Sequence, residues 1–117
     1  MSLPTQDLST YKTESPDKAF QSFTLRRPGK IIFVGHHLST SNFIRCIIRK
    51  ISQYGAELEV VPGQDVPKNF FLEILGIHDE IGCTLMRRHE EIVTVGFNML
   101  IDPEFLHHVL KLDFENR

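Results

Sequence analysis

The chain has 117 residues, 41% of them apolar, and a formal net charge of −2. That length suits one domain around one modest core and leaves no room for a second. The near-neutral balance excludes a polycation that grips long nucleic acid without specificity, and equally excludes an acidic tail.

Residues 1 to 22 mix Ser, Thr, Asp, Lys and Pro with few large apolar groups. Such a composition does not repay the entropy of ordering, so a flexible N-terminal arm is expected there, followed by a folded domain over residues 23–117. No leading apolar run resembles a secretion signal, and nothing approaches the roughly 20 apolar residues of a membrane span. A soluble, cytoplasmic protein is the expectation. Arg26-Arg27-Pro28-Gly29-Lys30 comes next, and its Pro-Gly pair predicts a flexible basic hinge ahead of the first strand.

From Lys30 onward the apolar residues recur with a period near two, which is the mark of half-buried strands. Lys30 to Val34 is β-rich and stops at Gly35, before the pair His36-His37. Asn42 to Ile51 sets Ile44, Cys46 and Ile48 on one face against Arg45 and Arg49, with Ile47 out of pattern. After a Ser-and-Gly turn, Ala56, Leu58 and Val60 oppose Glu57 and Glu59, and Pro62-Gly63 predicts another turn. Phe70, Leu72 and Ile74 form the next inward row, then Cys83 and Leu85, then Val93, Val95 and Phe97. Six short strands at this spacing predict a mainly β, antiparallel barrel.

The period changes after Asp102-Pro103, where Asp caps a helix and Pro fits its first turn. Phe105, Leu106, Val109, Leu110 and Leu112 then make an apolar stripe, with His107, His108 and Lys111 off it. A C-terminal amphipathic helix is expected, laid over one open end of the barrel or against a partner.

No enzyme signature stands out: there is no Gly-rich phosphate loop, nucleophile elbow or pair of metal-spaced cysteines. Neighbouring histidines on a strand point to opposite faces, so His36-His37 makes no two-ligand clamp, and no metal site or catalytic residue is expected. His78-Asp79-Glu80 and His89-Glu90-Glu91 fall in expected hairpin turns. Cys46 and Cys83 are the two cysteines, each among apolar strand residues, and reduced buried thiols are expected.

The charge is unevenly spread. From Lys18 to Ala56 there is no Asp or Glu, yet Lys18, Arg26, Arg27, Lys30, Arg45, Arg49 and Lys50 all lie there. Either an anion-seeking face is being built, or the arginines coat solvated strands and pair with carboxylates elsewhere. Arginine's planar fork grips a phosphate or the N7/O6 edge of guanine with two hydrogen bonds, and lysine adds a point charge. In Lys50-Ile51-Ser52-Gln53-Tyr54-Gly55, Ser52 has a hydroxyl to offer, and Gly55 permits a positive φ or a close backbone approach.

In this order, the blocks resemble the PilZ domain, the bacterial receptor module for cyclic di-GMP. The likeness runs from Arg26 to Asn98 through a basic entry motif, GKIIF, CIIRKISQYGAELEV, a Pro-containing loop before NFFLEIL, CTLMRR and TVGFN. It implies a six-stranded antiparallel barrel, often trailed by a helix. It also implies a ligand site in which an Arg-x-x-x-Arg segment wraps the dinucleotide and an Asp/Asn-x-Ser-x-x-Gly turn completes the pocket. Carried onto this chain, those positions are Arg26, Arg27, Lys30, Lys50, Ser52 and Gly55. Two depart from the family pattern: Lys30 replaces the second arginine and Lys50 the acid or amide. Losing a bidentate fork on a guanine edge costs on the order of 1–3 kcal/mol.

The resemblance therefore implies one of two non-enzymatic roles. In the first, cyclic di-GMP orders the basic arm and alters contact with a protein partner, for instance one of motility or the envelope. In the second, the module is degenerate, binds no nucleotide and serves as a protein-interaction adaptor.

Overall fold

A computed structural model describes residues 21–34 and 41–115. Apart from Gln21 and Ser22, the predicted arm lies outside the described residues, as do His36 and His37. Among the described residues, six strands and one helix follow in chain order: β1 (Phe23–Val34), β2 (Ser41–Ile51), β3 (Gly55–Glu59), β4 (Asn69–Ile74), β5 (Glu80–His89), β6 (Ile92–Phe97) and α1 (Pro103–Glu115). The strands form a closed antiparallel barrel in the order β1-β2-β3-β6-β5-β4, with β4 returning to pair with β1. The mainly β fold expected from the alternation, with its C-terminal helix, is the one observed.

Each strand aims its predicted apolar row inward. Ile44, Cys46, Ile48 and Ile51 from β2 meet Leu58 from β3, Phe70, Leu72 and Ile74 from β4, Cys83 from β5, and Val93 and Val95 from β6. Ile47, the exception in the sequence pattern, is half-buried on the outer face. The predicted turn at Pro62-Gly63 is present: the Gln64 N–H donates to the Val61 carbonyl at 3.0 Å, and Gly63 adopts φ +82°. Pro followed by a residue of positive φ is the arrangement a type II turn requires.

One boundary differs from expectation. β1 begins at Phe23 rather than Lys30, so the basic segment taken for a flexible hinge is the middle of a strand. Leu25, Arg27, Gly29 and Ile31 face inward in alternation. Pro28 and Gly29 do not break the strand because tertiary contacts suit both. The Pro28 carbonyl accepts the Leu75 N–H at 3.0 Å, and a Cβ on Gly29 would lie 2.9 Å from the Glu73 carbonyl oxygen. A glycine in a strand often marks such a close backbone approach.

The helix begins as its sequence predicts. The Asp102 carboxylate accepts the Glu104 N–H at 2.7 Å, and Pro103 occupies the first helical position. Leu106 and Val109 are buried in the barrel's core, with Phe105, Leu110 and Leu112 packed against it. The helix lies over the end of the barrel that carries the β2–β3 and β4–β5 turns. There the Ile101 N–H donates to the Gln53 carbonyl at 3.0 Å, Gln53 Nε2 donates to the Ile101 carbonyl at 2.9 Å, and Leu112 packs beside Gly76. Among the described residues, no helix is long and apolar enough to cross a membrane.

Candidate functional site

The β2–β3 turn is a tight hairpin closed by Ser52. Its N–H donates to the Gly55 carbonyl at 2.9 Å, while its hydroxyl oxygen accepts the N–H groups of Tyr54 (3.1 Å) and Gly55 (3.2 Å). Serine suits this position because a short side-chain oxygen satisfies turn N–H groups that the ladder leaves unpaired. Gly55 does not have a positive φ. It is required by proximity, since a Cβ there would lie 2.2 Å from the Val95 carbonyl oxygen of β6. Both residues of the Ser-x-x-Gly pattern thus have structural work that involves no ligand.

Lys50 lies one residue beyond an irregularity at Arg49, where the β2–β3 register slips. It is exposed, opposite Thr24 of β1 and Glu57 of β3. Arg49 leaves the turn region altogether: its guanidinium pairs with Glu59 at 2.6 Å. Together Ser22, Lys50, Ser52, Gly55 and Glu57 border a shallow hollow of about 160 Å³.

The basic segment takes a different course. Between Thr24 and Arg27 the β1–β2 register slips, and the Arg26 backbone N–H donates to Asp113 Oδ1 of α1 at 3.2 Å. The Arg26 side chain is exposed. Arg27 turns inward and is only 7% exposed. Its Nε and Nη2 donate to the Leu75 carbonyl at 2.9 and 2.7 Å, beside Gly76 at φ +96°. A Cβ at Gly76 would lie 2.8 Å from Arg27 Nη2, so the glycine is fixed by both its backbone conformation and the guanidinium. Lys30 is exposed further along the strand, opposite Arg45 of β2, with its ammonium 4.7 Å from the centre of the Phe43 ring.

The six residues singled out by sequence therefore do not converge. Lys50, Ser52 and Gly55 share the small hollow; Arg26 lies outside it; Arg27 is buried; Lys30 faces another part of the barrel wall. The end of the barrel shared by the β2–β3 turn and the start of β1 is the one that α1 covers. Asp113, buried at 4% exposure, escaped the sequence reasoning although it follows Leu106 and Val109 at helical spacing on the buried face.

Burial pushes the Cys46 thiol up to about 12, and burial followed by the neighbouring Cys46 does the same to Cys83. Both are free and buried, as the sequence implied, and neither is a nucleophile near neutral pH. Among the described residues no group of three or more His, Cys, Asp or Glu is placed to hold a metal ion. No model of a known family, no curated protein and no solved structure matches this chain.

Proposed function

We propose that the chain is a PilZ-like, non-enzymatic module whose nucleotide grip has been given over to structural work, and that it acts by contact with a protein partner. The observation that carries this reading is Arg27. The residue best suited to clasp a guanine edge is buried, with two of its donors on the Leu75 carbonyl. Extracting it would break these charge-assisted hydrogen bonds, a cost of about 1.5–3 kcal/mol before any ligand contact is made. Support also comes from Ser52 and Gly55, whose turn and packing roles explain their presence, and from lysine at both altered positions.

A second reading, binding of cyclic di-GMP, is favoured by one observation. Arg26 and Lys50 are both exposed on adjoining strands, and Lys50 borders the hollow of Ser22, Ser52 and Gly55. Isothermal titration of the full chain with cyclic di-GMP separates the two. The adaptor reading expects binding no tighter than roughly millimolar, which corresponds to about −4 kcal/mol. Micromolar binding that is lost in Arg26→Ala would establish the nucleotide receptor instead.

A further inference from the structure

The outward positions of β3 carry Glu57 and Glu59, although Met86 of β5 is 65% exposed. The wall made by β4, β1 and β2 is different. Ile32 of β1 stands in register between Phe43 of β2 and Phe71 of β4, and both rings are 50% exposed. Two residues along, Lys30 stands between Arg45 and Glu73. Two further, Pro28 adjoins Ile47 and the 56% exposed Leu75. An apolar surface of this extent, crossed by charge, is the composition of an interaction site.

The charges on this wall are placed at a cost. Lys30 and Arg45 are directly opposed cations, an arrangement that destabilises a sheet. Neither has a carboxylate within ion-pair distance among the described residues, although Glu73 is Lys30's register partner on the other side. Both cations approach the Phe43 ring instead, at 4.7 and 5.9 Å from its centre. Positive charge is thereby held over an apolar surface, unneutralised and open to solvent.

The relief fits an extended segment better than a compact ligand. A groove of about 520 Å³ runs from the Gly76–His78 loop over Pro28 to Lys30, Arg45 and Ile47. A second hollow of about 350 Å³ continues from Arg45 and Ile47 to Val61, which is 65% exposed. Together they cross the wall from β4 to the edge of β3, about 15 Å at ordinary strand spacing, or some five residues of extended chain. The barrel is closed, so an incoming segment gains no backbone ladder and must bind through side chains.

We propose that this wall docks an extended acidic-aromatic segment of a partner protein. Its carboxylates lie on Lys30 and Arg45, and its large apolar side chains lie along Pro28, Ile47 and Leu75. The proposal rests on the adaptor reading above and gives that adaptor its docking face. Charge complementarity selects the segment's acids, and Pro28, Ile47 and the exposed Leu75 select its apolar residues.

The test is a random-peptide display selection on the full-length chain. Enriched peptides are resynthesised, titrated against wild type, Lys30→Glu, Arg45→Glu and Leu75→Ser, and mapped by amide chemical shifts. The expected result is peptides with aromatic or large aliphatic residues flanked by Asp or Glu, shifting amides of β1, β2 and β4. Either charge reversal should weaken them about tenfold or more, and added salt should weaken them further. Thermal melts should show all three variants folded, with either charge reversal no less stable than wild type because it relieves the Lys30–Arg45 opposition. Peptides that lack carboxylates, or that bind the reversed variants equally well, overturn the proposal. Peptides that map to α1 or another face overturn this docking wall and leave the adaptor reading standing, whereas no binder on any face overturns both.

Discussion

Arg27 closes a bidentate grip on the Leu75 carbonyl, 48 residues away in sequence, and so ties β1 to the start of the β4–β5 turn. The contact is part-buried and charge-assisted, which places it among the stronger single interactions available to a barrel of this size. Arg27→Ala should cost about 2–3 kcal/mol in urea denaturation, and Arg27→Lys should recover only part of it, because an ammonium has no fork. Arg26→Ala should stay within about 0.5 kcal/mol of wild type, since Asp113 holds the Arg26 backbone and not its side chain. Equal losses from the two neighbouring arginines would contradict the assignment of the inward and outward residue.

The turn between β2 and β3 makes a second graded comparison. Gly55→Ala must fit a methyl group 2.2 Å from the Val95 carbonyl oxygen, so β3 and β6 have to separate. A loss of about 3 kcal/mol or more is expected, or failure to fold. Ser52→Ala removes one hydroxyl that accepts two longer hydrogen bonds at a partly exposed turn, and should cost about 1 kcal/mol. Chemical denaturation of both variants measures the order, and a Ser52 effect larger than that of Gly55 would show that the turn, not the strand packing, governs this corner.

Much of this architecture was readable from alternation alone. The inward rows of β3, β4 and β6 keep strict period two, as does that of β2 up to the slip at Arg49, and Asp102-Pro103 marks the helix start by local chemistry. The start of β1 was not readable, because Pro28-Gly29 carries a turn signal locally and only the facing Glu73 and Leu75 carbonyl and amide groups make it a strand. Arg27 illustrates the same limit for the site. Read as part of a basic hinge, it carried no strand face, and its charge suggested a ligand contact, a buried arginine being rare. Which carbonyl would receive it depends on a turn 48 residues distant. The exposed wall was not legible, because the alignment of Phe43 and Phe71 through Ile32 follows only from strand order.

The attachment of α1 supplies a third prediction. Asp102→Ala removes the cap on the Glu104 N–H and should lower stability by about 1 kcal/mol. Asp113→Ala should do more locally: the Arg26 amide loses its acceptor at the register slip, so its hydrogen exchange should accelerate well beyond that of amides in β6. Unchanged exchange at Arg26 would mean that the helix and the strand are joined by apolar packing alone.

The two thiols give the chain a distinctive alkaline limit. Each has an ordinary pKa of 9.0 that the fold raises to about 12, because an apolar interior disfavours the thiolate. Below pH 9 both folded and unfolded chains hold the protons, and the stability gained from burying neutral thiols is fully present. Between pH 9 and 12 the unfolded chain releases protons that the folded chain keeps, so it binds fewer and stability must fall as pH rises. The slope reaches about 1.4 kcal/mol per pH unit for each thiol in that window. Denaturation midpoints of wild type and the C46A/C83A variant, compared from pH 8 to pH 11, isolate this contribution from other alkaline titrations. The double variant starts less stable because of the lost packing, yet its curve should be flatter. Thiol-reactive dye should likewise label the native protein at pH 8 only at the rate of unfolding, and immediate labelling of either cysteine would show that its side chain is reached by solvent in the folded barrel.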